Sequence, residues 1–275
     1  MYHLGVTLPK VEPHYIEFKD WDLKAGVVYG PFRTRRHGNS LGINLLPSMR
    51  KHCTFNCVYC QCGWTREAVP WRPEDFVDYP SPARVRDEIE CRFGELLVEG
   101  NVPDAIIVSG NGEPTLYPRL EKAIDVILEV RDRFFPNART GVLTAGTQLG
   151  RQEVRCAVDR LDERMVKIDA GSDKLRKKVN LPLIDFDLDQ LERWVKLLRD
   201  CIVQSCFVRG RIDNTAEKDV GDWVACVARI RPKCVHVYSL DRTPPAQELL
   251  KVDRVSLERI ASRLHAETGI EAKVY

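Results

Sequence analysis

Four of the ten cysteines in this 275-residue chain fall within ten residues, at positions 53, 57, 60 and 62. Three of them, Cys53, Cys57 and Cys60, have the spacing C-x3-C-x2-C. Thiolates are soft ligands that suit zinc or iron–sulfur clusters. A [4Fe–4S] cluster is usually held by four cysteines, so three would leave one iron without a protein ligand. An open position of this kind separates catalytic from structural metal sites.

Two other interpretations of the clustered cysteines stay open, a zinc site and inert buried cysteines. A zinc site usually shows a second C-x2-C or Cys/His pair farther along the chain, and this sequence contains no such pair, although Cys62 could act as a fourth ligand. The remaining six are spread singly through apolar segments and are predicted to be buried small hydrophobes. They are Cys91, Cys156, Cys201, Cys206, Cys226 and Cys234.

Six short apolar runs rich in Val and Ile alternate with longer amphipathic runs. Such runs are typical of buried parallel strands, and their alternation with helices predicts a parallel sheet with right-handed crossovers. Six units are too few for a closed eight-unit barrel. We therefore expect an α/β fold, a partial (βα)6 TIM-like barrel formed by residues 38–275, with residues 1–37 as an N-terminal extension. The predicted strands are Leu41–Leu46, Ala105–Ser109, Thr140–Thr144, Met165–Asp169, Ile202–Val208 and Cys234–Leu240.

Helices are predicted between these strands from their 3.6-residue apolar period. The first follows Ser81, a suitable N-cap, and ends before Gly100. The others cover residues 120–131, 151–161, 188–198, 223–230 and 257–264.

The carboxyl ends of barrel strands carry the chemistry in folds of this type. After the second strand come Gly110, Asn111, Gly112, Glu113 and Pro114. Two glycines let the backbone approach a ligand closely, and Glu113 could accept a hydrogen bond from an ammonium group. A plain glycine turn is the alternative.

Charged and polar residues also end the later strands. Lys167 and Asp169 are two residues apart and face the same side of the fourth strand. Buried charges are normally paired or functional, so they predict either a binding group or an ion pair that seals the barrel. Arg209 and Asn214 follow the fifth strand and Tyr238 ends the sixth, which makes them further candidates for ligand contacts.

The cysteine spacing, with Tyr59 before the last cysteine and a position at the end of the first βα strand, resembles the radical S-adenosylmethionine superfamily. Further segments resemble its branch of Fe–S oxidoreductases similar to the tRNA wyosine-base synthase. These segments are Ser40-Leu41-Gly42-Ile43-Asn44, the Ser-Gly-Asn-Gly-Glu-Pro-Thr-Leu run and Val237-Tyr238-Ser239-Leu240-Asp241-Arg242. The second cluster motif of the wyosine synthases has no counterpart here.

This resemblance implies two cofactors, a [4Fe–4S] cluster on Cys53, Cys57 and Cys60 and S-adenosylmethionine. It implies that the Gly112-Glu113-Pro114 element contacts the methionyl amino group, that the Lys167 and Asp169 positions contact carboxylate or ribose, and that the Tyr238 segment contacts adenine.

The activity implied is that of an oxidoreductase or lyase. S-adenosylmethionine is reductively cleaved, and the resulting 5′-deoxyadenosyl radical abstracts hydrogen from a substrate that the sequence does not name, for which RNA is a candidate. A reductant such as flavodoxin or ferredoxin would supply the electron. Two other classes of function stay open, an iron–sulfur electron carrier without radical chemistry and a zinc-dependent RNA-binding module.

Composition restricts the partners. The formal net charge is only +2, which gives no overall attraction to nucleic acid or membrane. No signal peptide is evident and no run approaches the roughly 18 apolar residues of a membrane helix. We therefore expect a cytoplasmic protein with reduced thiols. The basic segment Arg33-Thr34-Arg35-Arg36-His37 is either a solvated loop or a local binding surface.

Overall fold

The computed structural model describes residues 23–66 and 78–275. Within these residues a curved open sheet contains eight strands, which are parallel except for the first, an edge strand antiparallel to its neighbour. Their order across the sheet is β1 (Val28–Thr34), β2 (Gly38–Ile43), β3 (Ala105–Val108), β4 (Arg139–Thr144), β5 (Glu163–Lys167), β6 (Ile202–Cys206), β8 (Cys234–Tyr238) and β10 (Ala272–Val274). A separate antiparallel pair joins β7 (Val208–Gly210) to β9 (Leu249–Lys251).

Seven helices connect these strands in the described part of the chain. The first begins where the Ser81 side chain accepts a hydrogen bond from the Arg84 amide, and it ends just before Gly100, whose φ is +67°. The helices are α1 (Pro82–Val98), α2 (Leu120–Phe134), α3 (Gln152–Val158), α4 (Asp173–Val179), α5 (Leu188–Val195), α6 (Glu217–Ile230) and α7 (Arg254–Thr268).

The predicted partial barrel is confirmed, and so are its six strand–helix units. The predicted bounds of the first strand are wrong by three residues at each end. The strand ends early because Asn44 leaves the sheet. The Asn44 side chain accepts a hydrogen bond from the Leu46 amide at 3.2 Å, which turns the backbone immediately after Ile43. The predicted fifth strand is divided at Phe207 into β6 and β7.

Four elements, the strands β1, β9 and β10 and the helix α4, are absent from the sequence prediction. The strands β1 and β10 extend the sheet at its two edges, and the β7–β9 pair lies outside it. The helix α4 is only seven residues long and mostly charged, with buried positions at Leu175, Arg176 and Val179. A helix this short and polar carries too little apolar period to be recognised.

The sheet has two differently packed faces. Ile106 and Val108 of β3 belong to the main core between the sheet and the helices. Since side chains alternate along a strand, Ala105 and Ile107 face the opposite, concave side, where they form a second apolar cluster with Met165 and Ile202. By the same alternation, Lys167 of β5 and Tyr238 of β8 lie on the concave side.

The prediction that the six scattered cysteines are buried is wrong for two of them. Cys91 and Cys156 are exposed, because α1 and α3 turn other faces toward the sheet. Cys201, Cys206 and Cys226 are buried, and Cys234 is partly buried.

The N-terminal extension falls partly outside the described residues, which begin at residue 23. Its described part supplies β1, and the Gly26–Val27 backbone contacts Glu88 of α1, whose carboxylate accepts a hydrogen bond from the Val27 amide at 2.7 Å. The division of the chain at residue 38 stays a prediction. None of the helices in residues 23–66 and 78–275 combines the length and apolar character that a membrane crossing requires.

Helix α1 offers a matched test of the main core. Phe93 is fully buried against Phe134 and Phe135, whereas Leu97, one turn later, is 53% exposed. We expect Phe93→Ala to lower the free energy of unfolding by about 3–5 kcal/mol because it leaves a cavity. Leu97→Ala should change it by less than about 0.5 kcal/mol. Urea denaturation followed by circular dichroism measures both, and equal losses would contradict the assignment of the α1 face.

Candidate cluster and cofactor site

The three cysteines lie in the segment that follows β2, at the carboxyl end of the parallel sheet. Backbone hydrogen bonds attach this segment to the turn that follows β3. The His52 amide donates to the Asn111 carbonyl at 2.8 Å, and the Glu113 amide donates to the His52 carbonyl at 2.9 Å. The cysteine loop is thus paired like a short strand with the glycine turn.

Both glycines of this turn are required by contacts within the protein. A Cβ on Gly112 would lie 1.7 Å from the His52 carbonyl oxygen, and a Cβ on Gly110 would lie 2.4 Å from the Asn44 side chain. Their φ angles, +140° and +143°, are also ones that other residues rarely adopt. Gly112 thus approaches the cysteine loop and Gly110 approaches Asn44, whereas the close approach to a ligand stays a prediction.

The thiols of Cys53, Cys57 and Cys60 are close enough to influence one another electrostatically. Burial raises the pKa of Cys53 to about 12 and that of Cys57 to about 11. A hydrogen bond from the Cys62 thiol lowers the pKa of Cys60 well below its usual value, although burial opposes this effect. Since thiolates bind metals, loading this site would release protons from Cys53 and Cys57.

Lys51 lies beside these thiols and is 5% exposed. Its ammonium group donates to the Gly63 carbonyl at 2.9 Å. Burial lowers the pKa of Lys51, but the neighbouring thiols, Cys60 first, outweigh burial and raise it above its ordinary value. A buried cation normally has an anionic partner, and here the first candidate is Cys60, the cysteine of the three whose pKa is lowered.

Cys62, the possible fourth ligand, lies next to Cys60. Its thiol donates to the Gly110 carbonyl at 3.3 Å as well as interacting with Cys60. It therefore connects the cysteine loop to the same glycine turn that His52 pairs with.

Asp169 is the centre of a buried polar network below the cysteine loop. Its carboxylate accepts hydrogen bonds from the Tyr59 hydroxyl, the Asn180 amide group at 2.6 Å and the Cys206 backbone amide at 2.7 Å. Lys167 lies 3.0 Å from the same carboxylate. Tyr59 and Asp169, two of the residues predicted for the site, are thus in direct contact.

Lys167 joins this network to the concave face. It donates to the Tyr238 hydroxyl at 2.5 Å, and its ammonium group lies over the rings of Tyr59 and Tyr238. Burial lowers the pKa of Lys167, but Asp169 outweighs burial and raises it. The predicted pair therefore forms an ion pair, and this pair is surrounded by the two predicted tyrosines.

Glu113 turns away from this network. Its buried carboxylate accepts hydrogen bonds from the Thr115 amide and hydroxyl, from the Thr144 hydroxyl at 2.6 Å and from the Ala145 amide at 2.6 Å. Burial raises its pKa, while these hydrogen bonds act in the opposite direction. The side chain fixes the end of β4 to the glycine turn, and Pro114 begins a short 3-10 turn after it.

Three other predicted residues make contacts elsewhere. The Asn111 side chain donates to the carbonyls of Lys24 and Pro47, at 2.9 and 2.8 Å. Asn214 donates to the backbone carbonyl of Asp169 at 2.9 Å and so helps to fix the backbone that carries the Asp169 carboxylate. Arg209 instead lies 3.6 Å from Asp253, outside the network. Roles for these residues in ligand binding stay predictions.

Sequence reasoning missed two contributors to the site, Asn180 and Cys206. The Asn180 amide contacts the Cys57 sulfur at 3.3 Å as well as Asp169. It caps α4, the helix that the sequence did not reveal. Cys206 is buried at the end of β6, and the charges of Lys167 and Asp169 both act on its thiol. Its position near the carboxyl end of the predicted strand Ile202–Val208 could have marked it as a site residue.

A family model described as the radical SAM superfamily matches residues 48–218, which include the cysteine loop, the glycine turn and the Asp169 network. The chain belongs to the radical SAM superfamily. Among curated relatives, a UPF0026 protein of Methanocaldococcus jannaschii is 27% identical over 235 residues, 84% of this chain and 68% of that protein. The S-adenosyl-L-methionine-dependent tRNA 4-demethylwyosine synthase of Pyrococcus abyssi is 27% identical over 66% of this chain and 55% of its own length.

The chain is also similar to part of a longer protein and to a solved structure. A protein named GTPase Obg from Brachyspira hyodysenteriae is 27% identical over 92% of this radical SAM chain, which spans only 35% of that protein's length. A solved structure of TYW1 with a lysine-pyruvate adduct bound superposes with a TM-score of 0.59 at 16% identity, over 83% of this chain and 74% of that one. This likeness shows the fold.

The donor set fits the cluster that radical SAM proteins bind in general. It consists of three thiols on one loop, with the Lys51 ammonium group next to them to offset thiolate charge. In residues 23–66 and 78–275 no three His, Cys, Asp or Glu side chains are arranged to hold a single metal ion.

The contact between Gly112 and His52 predicts a specific defect. Gly112→Ala should separate the cysteine loop from the glycine turn, because the new methyl group overlaps the His52 carbonyl. Iron and sulfide bound after anaerobic reconstitution should fall severalfold. Gly94→Ala in α1, where the nearest atom is 4.0 Å away, is the control and should raise stability by about 0.5–1 kcal/mol. Full loading of Gly112→Ala would contradict the docking argument.

The ion pair on the concave face predicts a non-additive effect. Asp169→Asn leaves the Lys167 ammonium buried without its carboxylate and should lower the free energy of unfolding by about 3–5 kcal/mol. Adding Lys167→Met removes the unpaired buried charge, so the double variant should be more stable than Asp169→Asn alone. Denaturant unfolding of the wild type, both single variants and the double variant measures this coupling. Simple additivity of the two losses would contradict it.

Proposed function

We propose that this chain holds a [4Fe–4S] cluster on Cys53, Cys57 and Cys60 and uses it to cleave S-adenosylmethionine reductively. The observation that carries this proposal is the convergence of these three thiols at the carboxyl end of the parallel sheet, in a member of the radical SAM superfamily. A trio of cysteines leaves one corner of such a cluster open for a cofactor.

When bound, the cluster supplies one electron to the sulfonium of S-adenosylmethionine, which yields methionine and a 5′-deoxyadenosyl radical that abstracts hydrogen from the substrate. The protein contributes position, charge and exclusion of water. Lys51 offsets the negative charge of the thiolates, and the hydrogen bond from Asn180 to Cys57 fixes one ligand. The Asp169 network holds Tyr59, next to the third cysteine, against the concave face.

RNA is the substrate class that we propose for this chemistry, with a base as the group that is modified. The proposal is supported by the relative that is named as a tRNA 4-demethylwyosine synthase. The electron donor would be a small reductant such as flavodoxin or ferredoxin, and the reduced thiols that the site needs agree with a cytoplasmic location.

The ligand assignment leads to a direct test with a matched control. Cys57→Ala should abolish both the visible absorption of the reconstituted cluster and the formation of 5′-deoxyadenosine after dithionite reduction, because one of three ligands is lost. Cys156→Ala, an exposed cysteine on α3, should leave both intact. Anaerobic reconstitution with iron and sulfide, followed by chromatographic product analysis, provides both measurements.

Four results would overturn the proposal. Equal losses in Cys57→Ala and Cys156→Ala would remove the ligand assignment. Cluster loss in Cys62→Ala as complete as in Cys57→Ala would indicate four cysteine ligands and no open corner. A fully loaded wild-type protein that forms no 5′-deoxyadenosine would indicate an electron carrier, and a colourless protein with bound zinc would indicate the zinc-dependent alternative.

A further inference from the structure

The tip of the β1–β2 hairpin, residues 34–38, folds against the concave face of the sheet. His37 is buried, with its Nδ1 atom 3.2 Å from the Glu163 carboxylate at the start of β5. Arg35 forms an ion pair with Asp241, just beyond β8. The basic segment of the sequence is therefore only in part a solvated loop, since its last residue, His37, is buried against the sheet.

Arg36 lies between these two residues in the chain, and its guanidinium group lies over an aromatic ring. The guanidinium carbon is 4.4 Å from the centre of the Tyr238 ring. Among the residues that the structure describes, its hydrogen bond is a long one, 3.4 Å, to the Gln204 side chain. Since a guanidinium group has five N–H donors, most of them remain available within this part of the chain.

Two nearby cations on this face are paired with carboxylates, Lys167 with Asp169 and Arg139 with Glu163. Among the residues that the structure describes, no carboxylate lies within ion-pair distance of Arg36, which is only partly exposed. Arg36 is therefore a partly buried cation without an anionic partner in that part of the chain.

Arg36 is also connected to the cysteine loop by a short series of contacts. Tyr238, under its guanidinium group, accepts a hydrogen bond from Lys167. Lys167 pairs with Asp169, which in turn binds Tyr59 beside Cys60. The available donors of Arg36 therefore border the same concavity as the candidate cofactor site.

We propose that Arg36 binds an oxyanion group of the substrate, a phosphate or a carboxylate, and so orients the substrate on the concave face. This proposal rests on the proposed function and adds to it the chemical class of the group recognised. A guanidinium edge matches two oxygens of such a group in a bidentate pair, and a partly desolvated site strengthens the pair.

Chemical protection tests the site in the unaltered protein. The reconstituted chain, saturated with S-adenosylmethionine, is treated with phenylglyoxal, and modified arginines are quantified by peptide mass spectrometry. Inorganic phosphate and acetate serve as probes in separate arms. Either probe should slow modification of Arg36 while leaving Arg33, an exposed arginine on the same hairpin, unaffected. The stronger probe distinguishes a phosphate-bearing from a carboxylate-bearing substrate.

A pair of variants adds the energetic test. We expect Arg36→Gln to weaken binding of radiolabelled phosphate or acetate, measured by equilibrium dialysis, about tenfold, which corresponds to about 1.4 kcal/mol. Arg33→Gln should leave the affinity unchanged. The affinity for S-adenosylmethionine is measured on the same samples.

The outcomes separate this proposal from the proposed function. Equal protection of Arg33 and Arg36, or unchanged anion affinity in Arg36→Gln, would overturn the oxyanion site. A parallel loss of S-adenosylmethionine affinity in Arg36→Gln would assign the residue to the cofactor and also overturn it. If the loaded wild-type chain forms no 5′-deoxyadenosine while Arg36 is still protected, the proposed function fails and the oxyanion site is supported by itself.

Discussion

The pairing of the His52 backbone with the turn after β3 is the constraint on which the candidate site depends. It holds the cysteine loop at a fixed depth on the carboxyl edge of the sheet, and it is possible only because Gly112 has no Cβ. On its other side the loop is held by the end of α4, where the amides of Asn56 and Val58 donate to the carbonyls of residues 179–181. A loop bound along both sides presents its thiols in one arrangement, which a multi-ligand cofactor requires.

Charge compensation organises the space around this loop. Lys51 and Lys167 are both buried, and each lies close to groups that are negative when deprotonated, the cysteine thiols for the first and the Asp169 carboxylate for the second. Buried charges are costly unless paired, so each pair fixes the elements that carry it. Asp169 connects β5, β6, α4 and the cysteine loop through a single carboxylate. Arg36 is partly buried and has no carboxylate within ion-pair distance among the described residues, and a cation at such a place is suited to an anionic ligand.

Much of the fold was predictable because it depends on local patterns. The apolar runs around Ile107, Val166 and Val235 are typical of parallel strands buried on both sides. Ser81 and Gly100 indicate where α1 begins and ends. The edge strands β1 and β10 and the short helix α4 were not predictable, since their stability comes from neighbours distant in sequence. The exposure of Cys91 and Cys156 was missed for the same reason.

By itself the sequence indicated the proposed ligand trio, the family resemblance and the strand ends at which polar residues gather, because spacing along a chain fixes which groups can converge locally. Only the tertiary structure decided their partners. In the folded chain the Glu113 carboxylate accepts a hydrogen bond from Thr144, and the Asn111 side chain donates to the backbone carbonyls of Lys24 and Pro47. The Arg36 guanidinium group lies over the Tyr238 ring. These contacts join residues 31 to 202 positions apart, and no local pattern encodes them.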